Sequence, residues 1–152
     1  MTTVVAIELT GAEKLIAAFV EIERTVENFT PIFEEIGPEV LSDIRQRIDN
    51  HPGPPLAAST VKRKGSTRIL RDSDDMYASF QKGAASNVFR ITPLEAEFGT
   101  SDVKAMFHQT GTGRMPQRTI IEITGEHEAR YAKIAVGMLN ARFREIGFEV
   151  ST

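Results

Sequence analysis

The residues in this chain that would be expected to carry chemistry are its three histidines, the acids Asp72, Asp74 and Asp75, and the glycine-rich stretch Gly111-Thr112-Gly113-Arg114. His51, His108 and His127 lack the close spacing of a histidine metal site, and no serine or acid beside them has a recognisable nucleophile context. His108 is therefore read as structural. Asp72, Asp74 and Asp75 would suit a divalent cation, and a small hydrolase is the reading that follows from it. The same acids before an apolar segment fit a helix start, where they cap free N–H groups and complement the helix dipole, and that reading is preferred. The glycine stretch lacks the Gly-Lys-Ser/Thr ending of a phosphate loop. With no cysteine there is no disulfide, no thiolate nucleophile and no thiolate zinc site. No catalytic, cofactor or metal residue is assigned, and the chain is not expected to be an enzyme.

Charge is the stronger signal. Residues 1–50 carry ten acids against four bases, about −6, within a chain of net charge −3. Lys62, Arg63, Lys64, Arg68 and Arg71 then place five cations in ten residues. Arg114 and Arg118 add two more from the glycine-rich region, and both are expected to point to a partner or to solvent. A charge-separated protein suits contacts with other proteins, since complementary potentials fix register and suppress wrong pairing. A nucleic-acid-binding accessory protein using the 62–71 patch is the alternative. It is the weaker one, because the whole chain is acidic, with pI ≈ 5.7, and no aromatic lies within the run to stack on bases.

These residues need elements to hold them. At 152 residues, 41% hydrophobic and 26% charged, the chain fits one domain spanning 1–152. No apolar run approaches the roughly 20 residues of a membrane span, and no basic-then-apolar leader opens the chain, so folding in a cytoplasm is expected. Residues 3–9 suggest a strand ending at Thr10-Gly11, with Thr10 and Glu13 forming a capping box. Leu15, Phe19, Ile22 and Val26 give the helix that follows an apolar face. Thr30-Pro31 starts a second helix with Phe33, Val40, Ile44 and Ile48 as its stripe. Gly37-Pro38 predicts a kink or break inside it.

His51-Pro52-Gly53-Pro54-Pro55 ends that helix and opens a Pro-rich loop, expected over about 50–67. A short helix through Met76, Tyr77 and Phe80 follows, stopped by Gly83. Residues 87–92 and 94–98 predict two antiparallel strands around Pro93, with Val88, Phe89, Ile91, Leu94 and Phe98 in the core. Ser101-Asp102 starts a further helix bearing Val103, Met106 and Phe107, of which Met106 and Phe107 are expected in the core. Thr119-Ile120-Ile121-Glu122-Ile123 has strand composition, and Thr124 caps a last helix ended by Gly147. In that helix Tyr131, Ile134, Met138 and Leu139 form the buried face. The architecture expected is α+β, with helices packed on one face of a small antiparallel sheet and a long Pro-rich loop.

Four blocks carry a resemblance. Pro55-Leu56-Ala57-Ala58-Ser59-Thr60 with Lys64 gives Pro-Leu-x-x-Ser-Thr-x-x-x-Lys, and Ile69 to Ser79 gives Ile-Leu-x-x-Ser/Thr-x-x-x-x-x-Ser. Phe98-Gly99-Thr100 precedes Phe107-His108-Gln109-Thr110-Gly111, and Met115-Pro116-Gln117-Arg118 completes the set. In order and spacing this resembles the phage virion-morphogenesis family, which includes tail-completion proteins of contractile-tailed phages. Two departures stand out. The family often has Asp-Gly-x-x-Trp where this chain has His51-Pro52-Gly53-Pro54, and Thr-Gly-x-Leu where it has Arg71-Asp72-Ser73-Asp74-Asp75-Met76.

The resemblance implies a structural protein at the head-proximal end of a tail or in the neck, completing tails or joining them to heads. Its partners would be other tail or neck proteins and further copies of itself in a ring, with transient proximity to packaged DNA and no membrane. It would reside in the virion, after assembly in the host cytoplasm. Lys62, Arg63, Lys64, Arg68, Arg71, Arg114 and Arg118 are the partner-binding candidates.

Overall fold

The computed structural model describes residues 12–51 and 53–148. The expected strand over 3–9, its turn at Thr10-Gly11 and the Thr10–Glu13 capping box lie outside the described residues, as does the side chain of Leu15. The order of elements is α1 (Ala12–Glu27), α2 (Thr30–Asp49), α3 (Ala58–Lys64), α4 (Asp75–Ala78), β1 (Asn87–Ile91), β2 (Ala96–Thr100), α5 (Val103–Thr110) and α6 (Gly125–Glu145). The fold is α+β, with α2 lying on both strands of an antiparallel pair in which Phe89 faces Phe98.

α2 is the spine. Ile32, Leu41, Ile44 and Ile48 are buried along it, and Leu70, Met76, Phe80, Ala105 and Ile120 close over its C-terminal half. Each such large apolar side chain contributes about 1.5–3 kcal/mol by leaving water. The expected break at Gly37-Pro38 does not occur, since the helix runs unbroken from Thr30 to Asp49. Pro38 faces solvent, and Gly37 is buried because a Cβ there would stand 2.6 Å from the rings of both Phe89 and Phe98. Gly37 thus lets the sheet's aromatic pair, 4.9 Å between centroids, rest directly on the helix backbone. The residue at the N-cap is Phe29 rather than Thr30, and Asn28 Oδ1 instead accepts from the Thr30 amide at 3.0 Å.

α6 packs antiparallel to α2. Arg130 and Tyr131 both reach Asp43, and Arg142 pairs with Glu21 of α1 at 3.1 Å. Burial, then the hydrogen bond to the Asp43 carboxylate, pushes the Tyr131 phenol up, so it stays a neutral donor. The expected Thr124 cap is present, and its reciprocal partner is His127, whose Nδ1 accepts from the Thr124 amide at 3.2 Å.

Three local expectations are corrected. The loop over 50–67 contains α3, whose Lys62, Arg63 and Lys64 suit the helix C-terminus and which Gly65 ends in the left-handed region at φ 68. Leu94 is exposed, because it sits in the turn between strands rather than in β2. Thr119–Ile123 forms no strand. Gln109 stands in for a neighbouring strand: its Oε1 accepts from the Ile120 and Ile121 amides and its Nε2 donates to the Ile121 carbonyl, all at 2.9 Å.

Candidate functional site

The Pro-Leu block supplies one wall of a pocket. Pro55, Leu56 and Ala57 lead into α3, which presents Thr60, Arg63 and Lys64. The Ile-Leu block supplies the floor through Leu70 and Met76, with Asp72 and Asp74 at the edge. His108 and Lys104 enter from one face of α5, and Arg114, Met115, Pro116 and Arg118 close the opposite side. Segments from residue 55 to residue 118 thus meet around one open cavity of about 510 Å³. Six cationic residues line it against two acids, Asp72 and Asp74, so its local charge is positive in an acidic chain.

The glycine-rich stretch is a tight turn. Thr112 and Met115 exchange backbone hydrogen bonds at 2.9 and 3.2 Å, which puts exposed Arg114 at its tip. Gly111 makes the turn possible, since its φ is +72 and a Cβ would lie 3.0 Å from the Gln117 amide nitrogen. The returning segment is anchored where the Arg118 amide donates to the His108 carbonyl at 2.7 Å. The Phe-His-Gln-x-Gly block therefore works as a clamp, with the backbone of His108, the amide of Gln109 and the φ of Gly111 together shaping the pocket's far wall.

The seven candidate residues divide. Arg118 does not point to a partner or to solvent: it is 5% exposed, and its Nη2 donates to the Pro54 carbonyl at 3.1 Å, pinning the Pro-rich segment. Arg71 is also held internally. It lies over the Tyr77 ring at 3.6 Å and pairs with Asp49 at 2.6 Å and Asp74 at 2.5 Å, while Tyr77 donates to the other Asp49 oxygen. Arg71 thereby holds the Asp74 carboxyl below the usual carboxylate range. Arg63, Lys64 and Arg114 line the pocket and remain accessible, with Arg63 loosely paired to Asp72 at 3.6 Å. Lys62 and Arg68 are exposed outside it. Lys104 is a lining cation that the charge run did not reveal, because it lies 40 residues downstream and only the fold brings it in.

The acids at 72–75 do not cap α4 with their side chains. Asp74 is its N-cap residue, in the left-handed region at φ 65, with its carboxylate turned to Arg71. At this φ the aspartate occupies a backbone conformation that glycine adopts more readily. Asp75 instead meets Lys104 at 3.9 Å and accepts from Ser73. Among the described residues no cluster of three or more metal-ligating side chains exists.

His108, in the pocket wall, and His51 each have one buried ring nitrogen without a hydrogen-bond partner, and Arg118 Nε has none either. Burial, then the Arg118 charge, holds both imidazoles below their ordinary pKa. They are neutral spacers at neutral pH.

The family model for the phage virion morphogenesis family matches residues 10–140, and the chain belongs to that family. No curated protein and no solved structure matches it. Among the described residues no helix is long and apolar enough to cross a membrane.

Proposed function

We propose that this member of the phage virion morphogenesis family completes the phage tail or joins it to the head at the neck, and that it does so through protein–protein contacts in a ring. A role in phage virion assembly follows from the family itself. The finer reading rests chiefly on one observation: each of the four motif blocks, spread over residues 55–118, contributes lining residues to a single basic pocket. Its accessible Arg63, Lys64, Lys104 and Arg114 suit an acidic segment of a tail or neck protein, held by charge-assisted hydrogen bonds. The role is structural, located in the virion after assembly in the host cytoplasm, and it requires no catalysis.

DNA is the less favoured partner. Asp72 and Asp74 line the same pocket, no Phe, Tyr or Trp does, and the exposed cations are too few for the phosphate contacts of tight non-specific binding.

Deleting this gene from a producing phage and counting particles by negative-stain electron microscopy tests the reading. Full heads beside unattached or overlong tails are expected. Normal infectious particles would sink it, and salt-sensitive duplex binding by the pure protein would then favour the nucleic-acid role.

A further inference from the structure

α5 and α1 both carry apolar residues on the side turned away from the protein. On α5, Ala105 is buried and Gln109 holds the 120–121 backbone, whereas Val103, Met106 and Phe107 are 54, 55 and 42% exposed. At 3.6 residues per turn those three fall within about 100° of arc, opposite Ala105. Lys104 and His108 occupy the arc between, facing the basic pocket. On α1 the half-buried residues are Ala18, Glu21, Ile22 and Thr25, while Ile16, Phe19, Val20 and Val26 are 41–63% exposed. Phe19 and Val26 share the helix side with Ile22, as expected, but are more exposed than it.

Among the described residues neither stripe is part of the buried core, and exposed apolar faces of this kind mark interaction surfaces. They differ in charge and place. Exposed Glu23 and Glu27 lie within the arc of the α1 stripe, whereas the α5 stripe borders Lys104 and the cations of the pocket. α1 sits at the N-terminal end of α2, where Glu21 and Arg24 share a groove with Pro31 and Ile32. α5 sits at the C-terminal end, where Arg47 Nε donates to the Thr119 carbonyl beside the segment that Gln109 holds. Ile32 and Arg47 are about 22 Å apart along the helix at 1.5 Å per residue.

We infer that these two faces bind one another between copies: the α1 face of one molecule docks on the α5 face of the next. The occupant of each is a second copy of this chain. Both faces offer an apolar stripe along a short helix, and one is acidic where the other is basic, which favours α1 against α5 over either face against itself. Because the faces are different and lie at opposite ends, the contact is heterologous and propagates, closing into a ring where the rotation allows. The inference rests on the proposed ring and gives it surfaces.

The chain has no cysteine, so single introduced thiols report the contact directly. Val20→Cys and Met106→Cys variants, mixed at tens of micromolar and treated with a short bismaleimide, should give a cross-linked species containing one of each. Phe19→Ser in the first variant, at an exposed position, should lower that yield at least ~10-fold, the loss expected for an interface anchor. Glu23→Lys with Glu27→Lys should lower it too, and Lys104→Glu in the other molecule should restore it.

Cross-linking of either variant with itself but not with the other overturns the inference in favour of a symmetric dimer. If the Val20→Cys thiol of the full chain resists a small maleimide, with no mixed product, the inference is overturned in favour of cover of the α1 face by the chain itself. Because this assay uses pure protein, a missing cross-link with unattached tails in the deletion lysate rejects the contact alone. The reverse pair of results rejects the virion role alone.

Discussion

α2 and α5 carry apolar stripes of the same helical periodicity and use them in opposite ways. On α2 the stripe turns inward, with Leu41, Ile44 and Ile48 at 1–3% exposure beneath Phe80 and Ile120. On α5 the stripe turns outward, and small Ala105 alone enters the core. A period of 3.6 announces that a helix has an apolar face, but says nothing about which body covers that face. α2 is covered by its own chain. α5 and α1 keep theirs exposed, and in the proposed ring another copy covers them.

Truncating an aromatic on each side of this divide should separate stability from assembly most widely. Phe80→Ala, at 0% exposure, should lose about 3–5 kcal/mol in chemical denaturation, enough to unfold much of a marginal chain. Phe107→Ala should stay within about 0.5 kcal/mol of the parent and still weaken self-association in sedimentation. If the two variants lose stability equally, the divide is wrong.

Gly37→Ala tests the inward side from the opposite direction, by adding volume. Its Cβ would press on the Phe89 and Phe98 rings at 2.6 Å, so a loss of about 1–3 kcal/mol is expected in the denaturation midpoint. Gln109→Ala tests the strand surrogate that separates α5's two faces. Freeing the Ile120 and Ile121 amides should lower stability by about 1–2 kcal/mol and raise their hydrogen exchange, while Gln109→Glu, keeping the acceptor, should lose less.

Acid probes the wall between pocket and core. Folded His51 and His108 resist protonation, whereas unfolded histidines take up protons near pH 6.5. Full stability is therefore present above about pH 6.5 and is lost as the pH falls through that value towards the lowered folded pKa. The loss should be on the order of 1 kcal/mol for the pair, because both rings are partly open to water that screens the Arg118 charge. Urea midpoints at pH 7.5 and 5.5 check the slope, which replacing both histidines by glutamine should flatten. The smallest effect belongs to Asp74. Because its φ is 65, Asp74→Gly should melt higher than Asp74→Ala, although both lose the Arg71 pair.

Much of the fold was legible because local rules decided it. The Thr30–Asp49 helix, the paired strands around Pro93, the Asp102 cap and the Thr124 cap each depend on a few neighbouring residues. What escaped was decided by distant ones. Thr119–Ile123 has strand composition but meets a glutamine side chain in place of a strand, and Pro38 is tolerated because it faces solvent while Gly37 lets two rings approach. The pocket was half legible. The 62–71 charge run announced its rim, but charge alone does not tell a bound cation from a free one: Arg71 and Arg118 are committed inside the protein, and Lys104 joins only through the fold.

In the proposed role the accessible pocket cations, and not the buried ones, carry the assembly contact. The decisive measurement is complementation of the gene-deleted phage with an Arg63→Glu, Lys64→Glu, Arg114→Glu variant, after confirming that it melts like the parent. A folded protein is expected, with lysates that show full heads beside unattached or overlong tails in the electron microscope. Infectious particles at the parental count would contradict it.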